Sequence, residues 1–466
     1  MNLTAYRYAS RLLRPAIHGY LWWLGRKDAA YRAGLDERWG RGDLSEVQTG
    51  SIWVHAASVG EIRAAEPLID RLLADNWAVY LTTNTPAGRE TAEAHYATDL
   101  RVGFPPADVP DAVDRFLDEL KPAAALFVEL ELWPNRLAAL ASRGIPIALV
   151  NARLSASSLA RYLRLGRLMG ECLRGVTCVC AQTHEDAERL EKVGVPNQRL
   201  VVTGNLKFDQ PIDERQVQAG EALRKRLGAG RVVWVAASVR QAEALAVAEA
   251  HARLRDQFPD ALLIAVPRHP ARFSWPRSSP SGWSETGRSG IGRSGTGTKS
   301  EARVRDSHVL NASRLTPDPA LGADTAVLVV DTVGEMIKFL AAADAAFVGG
   351  TLTPVGGHNP LEPAALGKPV LMGPYVTNFR QIDQLLADCD ARIRVDDAAG
   401  LADSLMTLFW DRHNLERIGM SARHLVEHHA GATDRTVAAL QSDFLAPGSS
   451  AFKASRQVMC RHPEAR

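Results

Sequence analysis

The chain has 466 residues and is 46% hydrophobic, enough for more than one domain with a packed core. A net charge of +2 gives no case for nucleic acid as a partner. The five cysteines, at 172, 178, 180, 389 and 460, lack metal-ligand spacing, and such usage fits a reducing, cytoplasmic compartment.

Residues 1–32 set Arg7, Arg11 and Arg14 before an apolar, aromatic run at 16–24, with Arg26 and Lys27 after it. A bilayer span needs about 20 apolar residues, so this run is too short for one, and no small-residue cleavage site marks a secretory signal. Basic residues around an aromatic, apolar centre suit a helix lying on an anionic membrane surface. The alternative is a helix packed on the body of the protein. The positive flanks place the remainder on the cytoplasmic side.

From 51 to 204, short apolar runs alternate with helical patterns. Runs at 52–54, 78–81, 123–128, 145–150, 176–179 and 200–202 read as strands. Cys178 and Cys180 alternate along one of them and read as core residues. Such βαβ alternation predicts a parallel sheet covered on both faces. Each strand ends in polar residues, and ligands of such sheets bind at the carboxyl ends of the strands. Glu61, Glu131 and Lys207 are the ionisable groups expected to face that site. The competing reading makes Glu61 a first-turn carboxylate favoured by the helix dipole and Glu131 a carboxylate beside Trp133-Pro134 where a helix begins.

After a linker and polar helix at 205–230, a second α/β series has strands at 232–236, 262–266, 326–330, 345–348 and 370–371. Arg268 and His269 follow its second strand and Val333, Gly334 and Glu335 its third. Arg268 suits pairing with a phosphate; the alternative is a surface salt bridge. The fourth strand opens the most informative stretch, 344–374. Gly349 and Gly350 end the strand, Gly356 and Gly357 follow, and Asn359-Pro360-Leu361-Glu362 reads as a helix start with Asn as cap and Pro in the first turn. A helix beginning just past a parallel strand directs free N–H groups at the ligand crevice, which favours phosphate. In the competing reading Glu362 only caps its own helix.

A Ser/Gly/Arg-rich insert at 274–302 reads as flexible. Residues 398–445 are helical and 446–466 read as a tail. The expected division is a membrane-associated segment 1–32, an acceptor-binding Rossmann-like domain 33–210, a nucleotide-sugar domain 211–425, and a C-terminal helix and tail 426–466.

The blocks HAASVGE (55–61), TTNTPAG (82–88), ELELWPN (129–135), NARLS (151–155), GNLKFD (204–209), PRHPARF (267–273), DTVGE (331–335) and GGHNPLEPAALGKPVLMGP (356–374) occur in an order that resembles the Kdo (3-deoxy-D-manno-octulosonic acid) transferases. The resemblance runs from the basic N-terminus to about residue 445. It implies two Rossmann-like parallel-sheet domains facing a cleft, the B type of glycosyltransferase. It also implies transfer of Kdo from CMP-Kdo to lipid IVA, the lipid A precursor, with inversion, no metal or other cofactor, and attachment to the cytoplasmic face of the inner membrane. By match to the motifs, Glu61 is the expected general base, with Ser58 and Gly60 beside it on the acceptor side. Glu131 and Lys207 match transition-state-stabilising positions. Arg268, His269, Val333, Gly334, Glu335, Asn359, Pro360, Leu361 and Glu362 match CMP-binding positions.

One loop departs from the family pattern. Where relatives carry Ser-Thr-His-x-Gly-Glu-Glu, this chain has Ser238-Val239-Arg240-Gln241-Ala242-Glu243-Ala244, which puts that loop's part in donor binding in question: Arg in place of His is able to retain a phosphate contact, while Ala in place of Gly restricts the loop. Two rival readings remain at this stage. One is a B-type transferase using another nucleotide sugar and a soluble acceptor. The other is a nucleotide-binding module whose catalysis has lapsed.

Overall fold

The structure, a computed structural model, describes residues 1–26, 28–228, 230–276, 308–312 and 325–443. All but the first three residues of the expected insert at 274–302, and the expected tail, lie outside the described residues. The chain divides into two compact units, one comprising Met1–Gln210 and the chain from His429 onward, the other Pro211–His428.

The first unit contains β1 (Ile52–His55), β2 (Val79–Thr82), β3 (Arg101–Gly103), β4 (Ala124–Val128), β5 (Ile147–Ala152), β6 (Cys178–Ala181) and β7 (Leu200–Val202). They form one parallel sheet in the order β3-β2-β1-β4-β5-β6-β7. The central strands are buried along their whole length, because helices cover both faces and near-continuous apolar runs are what such a sheet needs. Alternation splits the core in two. Trp53, Tyr80, Phe127 and Leu149 pack on one side, and Val54, Leu81, Leu126, Val150, Cys178 and Cys180 on the other. Helices Pro86–Tyr96, Pro110–Leu120 and Pro134–Ser142 each begin on a proline, whose fixed φ suits a first turn and whose missing N–H costs nothing there.

The N-terminal segment is two helices, Leu3–Leu12 and Arg14–Leu24, rather than one. The first follows the body-packed alternative. Leu3 N–H donates to Glu171 (2.7 Å), the Tyr6 hydroxyl to Asp108 (3.0 Å), and Asn135 Nδ2 to Ser10 Oγ (3.1 Å). The second leaves Tyr20, Trp22 and Trp23 exposed. No described helix is long and apolar enough to cross a membrane.

The expected separate segment 426–466 needs correction. Helix Ala432–Asp443 buries Ala432, Val437 and Leu440 in the first sheet's core, and Arg435 Nε donates to Thr203 O (2.8 Å). An apolar stripe in a sequence shows that a helix face is covered, not by which sheet.

The second unit contains β8 (Val233–Val239), β9 (Leu262–Pro267), β10 (His308–Asn311), β11 (Thr325–Val329), β12 (Ala345–Val348), β13 (Val370–Met372) and β14 (Arg392–Arg394). They form a second parallel sheet, in the order β10-β11-β9-β8-β12-β13-β14. β3, β10 and β14 carry no long apolar run and lay outside the expected strands; all three are edges, where short strands with polar or charged residues are tolerated and discourage further pairing. The first sheet reverses its order between β1 and β4 and the second between β8 and β12, with a further local reversal at the latter's β10-β11 edge. Connections on the two sides of such a point run to opposite faces and leave a crevice at the carboxyl ends.

Candidate active site

In the first unit the crevice is flanked by the loops after β1 and β4. Ser58 caps helix Val59–Ala74, accepting the Glu61 N–H through Oγ (3.4 Å). The Glu61 carboxylate in turn accepts Ala57 N–H (2.7 Å) and the Ser58 hydroxyl (3.0 Å). The helix-start reading of Glu61 therefore holds, as a reciprocal capping arrangement. It does not exhaust the residue. Burial, then the negative charges of Glu129 and Glu131, push the Glu61 carboxyl up to about 7, against the Ala57 and Ser58 bonds that favour its ionised form. Gly60 is exposed beside it.

Glu129 ends β4 with φ +59°, and Asn151, at the next strand end, has φ +55°. Left-handed backbone at non-glycine residues costs on the order of 1–3 kcal/mol each and gathers at functional loops. At Glu131 burial works against the charge, yet the carboxyl lies below its ordinary value. The approach of His55 and the Trp133 indole N–H, 2.6 Å from Oε2, outweighs the burial. His55 is fully buried, and burial keeps its imidazole below its usual range. Thr82 Oγ1 accepts the Trp53 indole N–H (2.8 Å) and lies 3.0 Å from His55 Nδ1. His55 Nδ1 also lies 3.1 Å from the Thr82 carbonyl, which can only accept, so the ring proton sits on Nδ1 and Nε2 stands 3.6 Å from Glu131 Oε2. That gap is too long for a direct hydrogen bond.

Lys207 reaches this place from a distant strand. It follows β7, at the sheet's edge, but the turn Leu206–Asp209 runs back over the carboxyl ends. Asn151 Oδ1 accepts Leu206 N–H (3.1 Å), and Gln210 Nε2 donates to Arg63 O on the Glu61 helix. Burial lowers the Lys207 ammonium, Glu129 and Glu61 act to raise it, and Arg153 lowers it further. Glu61, Glu131 and Lys207 are thus brought together, with Glu129 and Arg153 among them.

The second unit's crevice carries the opposite sign. β8 turns at Ser238 (φ +54°) into Arg240. Gly349 packs directly on that turn: a Cβ there would lie 2.6 Å from Ser238 O and 2.7 Å from Val239 Cα, so only glycine fits. The loop after β12 closes on itself through Gly357 N–H to Gly350 O (2.8 Å) and His358 N–H to Gly349 O (3.2 Å), which sets the His358 ring beside Arg240. Arg240 Nε donates to His358 Nε2 at 3.4 Å. Burial, then Arg240, Arg268 and His269, hold His358 down at about 4. Burial, then Arg268, Arg240 and Arg272, lower His269. Arg268 and His269 therefore lie near Arg240 and His358.

The helix after the glycine loop is shorter than expected. It spans Leu361–Ala365, with Pro360 at its cap rather than in its first turn. Asn359 accepts Leu361 N–H through Oδ1 (3.1 Å) and donates from Nδ2 to Glu362 (3.3 Å). Glu362 is tied to the Asn359 side chain, not to a helix N–H in a capping box. Five residues align too few peptide dipoles to supply the positive field the sequence reading assigned to this helix; cationic side chains supply it instead. Val333, Gly334 and Glu335 lie in the loop after β11, on the far side of β9 from β8. There Glu335 accepts the Thr332 hydroxyl and Lys338 Nζ (2.6 Å). Those bonds hold its carboxyl below the ordinary range although burial acts to raise it. Val333 is 86% exposed.

With this geometry in hand, a family profile described as 3-deoxy-D-manno-octulosonic-acid transferase (kdotransferase) matches residues 33–210. The 3-deoxy-D-manno-octulosonic acid transferase of Bordetella pertussis is 34% identical over 455 residues, 95% of this chain and 99% of that one. The chain belongs to the 3-deoxy-D-manno-octulosonic acid transferase family. The Haemophilus influenzae member is 31% identical, with 92% of this chain and 96% of the relative covered. The family's members are glycosyltransferases, and this chain is an enzyme of that class. Two solved structures carry the fold alone. A UDP-GlcNAc 2-epimerase from Neisseria meningitidis has a TM-score of 0.51 at 12% identity, covering 84% of this chain and 100% of its own. A glycosyltransferase from Rickettsia africae has a TM-score of 0.50 at 13% identity, covering 86% and 100%. Two parallel-sheet α/β domains of the B-type glycosyltransferase kind are the shared architecture.

Sequence reasoning passed over His55, Glu129 and Arg153. All three lie inside blocks already singled out, and the signal that would have found them is strand-end position alone.

Proposed function

We propose that the chain transfers Kdo from CMP-Kdo to a hydroxyl of lipid IVA, with inversion and without a metal, at the cytoplasmic face of the inner membrane. The observation that carries this reading is the carboxyl of Glu61, pushed up to about 7 in a cluster with Glu129, Glu131 and Lys207. A base works best with a pKa near the working pH. In the proposed step the acceptor oxygen bonds to the anomeric carbon of Kdo and its proton passes to Glu61. The bond from that carbon to the phosphate oxygen breaks, and CMP leaves with the electron pair. One displacement inverts the carbon.

Arg268 meets the charge on the departing phosphate, a role for which a fixed cation suffices, and His269, kept neutral by its surroundings, offers a ring N–H beside it. Asn359 to Glu362 and Val333 to Glu335 hold the nucleoside. Lys207 balances the carboxylates in the first unit, and Glu131, fixed by Trp133, orients the sugar. Membrane attachment is supported by helix Arg14–Leu24. Trp22 carries Arg26 and Arg32 over its ring at 5.0 and 4.8 Å, an aromatic and basic pairing suited to the headgroup region.

The test is incubation of purified protein with CMP-Kdo and lipid IVA, with and without EDTA, and mass spectrometry of the lipid. A mass increase of one or more Kdo residues, insensitive to chelation, is expected. Unchanged lipid with Kdo accepted by a soluble sugar selects another acceptor. No transfer to any acceptor means that catalysis has lapsed.

A further inference from the structure

Arg240 stands where the sequence departs from its family, and the structure gives it a setting that a surface arginine lacks. It begins the loop after β8, one of the two loops that flank the second crevice. That loop is fixed by Glu243, which is 1% exposed. One Glu243 oxygen accepts Arg240 N–H (3.1 Å) and Gly350 N–H (2.7 Å), and the other accepts Leu352 N–H (2.9 Å). A single buried carboxylate therefore ties the two loops together and spends its charge on backbone donors.

The half-buried guanidinium is oriented from the other side by His358, which accepts from Nε. Among the described residues no carboxylate forms an ion pair with Arg240. Arg268 and His269 lie close enough to share its field with His358. An arginine that is held at two points, is not neutralised and is grouped with a second arginine and two imidazoles matches a phosphate in charge and in fork geometry.

We propose that Arg240 binds the phosphate of the nucleotide-sugar donor through its guanidinium fork, positioned for this by His358 and Glu243. The inference rests on the CMP-Kdo reading above and adds a ligand to it. Arg240 thus supplies phosphate contact in a loop whose part in donor binding the sequence left open, and its positive charge stays with the leaving CMP as the negative charge on its phosphate grows. A phosphate on the acceptor is the competing source of the same chemistry, and the test separates the two.

Calorimetric titration of the full chain and of Arg240→Gln with CMP and with cytidine isolates the phosphate. CMP affinity is expected to fall about 10- to 100-fold, the worth of hydrogen bonds to a charged group, while cytidine affinity and Tm hold. Arg240→Lys should recover part of the loss. In turnover, the KM for CMP-Kdo should rise and that for the acceptor should not. Equal CMP affinity in Arg240→Gln and wild type overturns the inference alone. So does an equal loss for CMP and cytidine, which marks a structural role, or a rise confined to the acceptor KM, which moves the phosphate to the acceptor. A wild-type chain that fails to bind CMP overturns the donor reading and this inference together.

Discussion

The two crevices share one construction and hold opposite charge. Each lies where a parallel sheet reverses its strand order, and each is framed by the loops after the first strand of its unit and the first strand beyond the reversal. In the first, those loops bring Glu61, Glu129 and Glu131 together. In the second, they bring Arg240 and His358 together, with Arg268 and His269 beside them, and the Glu243 carboxylate at the junction is consumed by three backbone N–H groups. The fold fixes where a ligand can bind; the loop residues decide which charge is welcome there. Burial, with neighbouring carboxylates, raises a carboxyl and suits proton removal. Burial, with neighbouring arginines, lowers imidazoles where an anion is welcome.

The largest effect that would break this division of labour comes from Glu61→Gln. Glutamine keeps the shape and leaves the Ser58 cap in place, so Tm should change little. The base is gone, and kcat should drop by about 10²- to 10⁴-fold. Calorimetry should find CMP affinity unaltered, since the proposed nucleotide site lies in the other unit. A simultaneous loss of CMP binding would show that the two crevices are not separable in function.

Next in size is Glu243→Ala. It strips an acceptor from three N–H groups at a junction with almost no access to water. Unsatisfied buried donors make a cost of about 2–4 kcal/mol reasonable, visible as a lower midpoint in urea. Because the loops carrying Arg240 and Gly350 come apart, CMP affinity should fall as well. Glu243→Gln, which retains one oxygen, should lose less of both. Intact CMP binding in a destabilised Glu243→Ala would separate loop anchoring from nucleotide recognition and contradict the role given to this residue.

Much of the architecture was legible in advance. The central strands announce themselves as short, wholly apolar runs, and a strand–helix alternation permits little besides a parallel sheet. The polar strand ends that pointed to Glu61, Glu131 and Lys207 follow from the same rule. What escaped the sequence depends on distance in space. Lys207 leaves an edge strand and meets Glu61 only because Asn151 and Gln210 pin the intervening turn. Helix Ala432–Asp443 crosses back to the first sheet, which no local pattern encodes. The loop 238–244 looked impaired because Thr, His and Gly are replaced, yet Glu243 anchors it and Arg240 carries a charge suited to the site. The glycine-loop helix looked like the source of positive field; with five residues it is a connector, and the arginines take that part.

The smallest expected change sharpens the electrostatic half of the comparison. Burial raises the Glu61 carboxyl most, with Glu129 the largest of the neighbouring charges that add to it. A general base acts when ionised, so kcat/KM of the wild type should fall as pH drops through about 7. Glu129→Gln removes a negative charge that opposes ionisation. The Glu61 carboxyl then moves back toward its ordinary value, and the acid limb should shift to lower pH by a few tenths to about one unit. The same change makes Glu61 a weaker base, so the plateau at high pH should fall slightly while the limb moves, a pairing that mere structural damage does not produce. An acid limb that stays in place would mean that burial alone sets Glu61, and that the clustering of carboxylates in the first crevice has no part in tuning it.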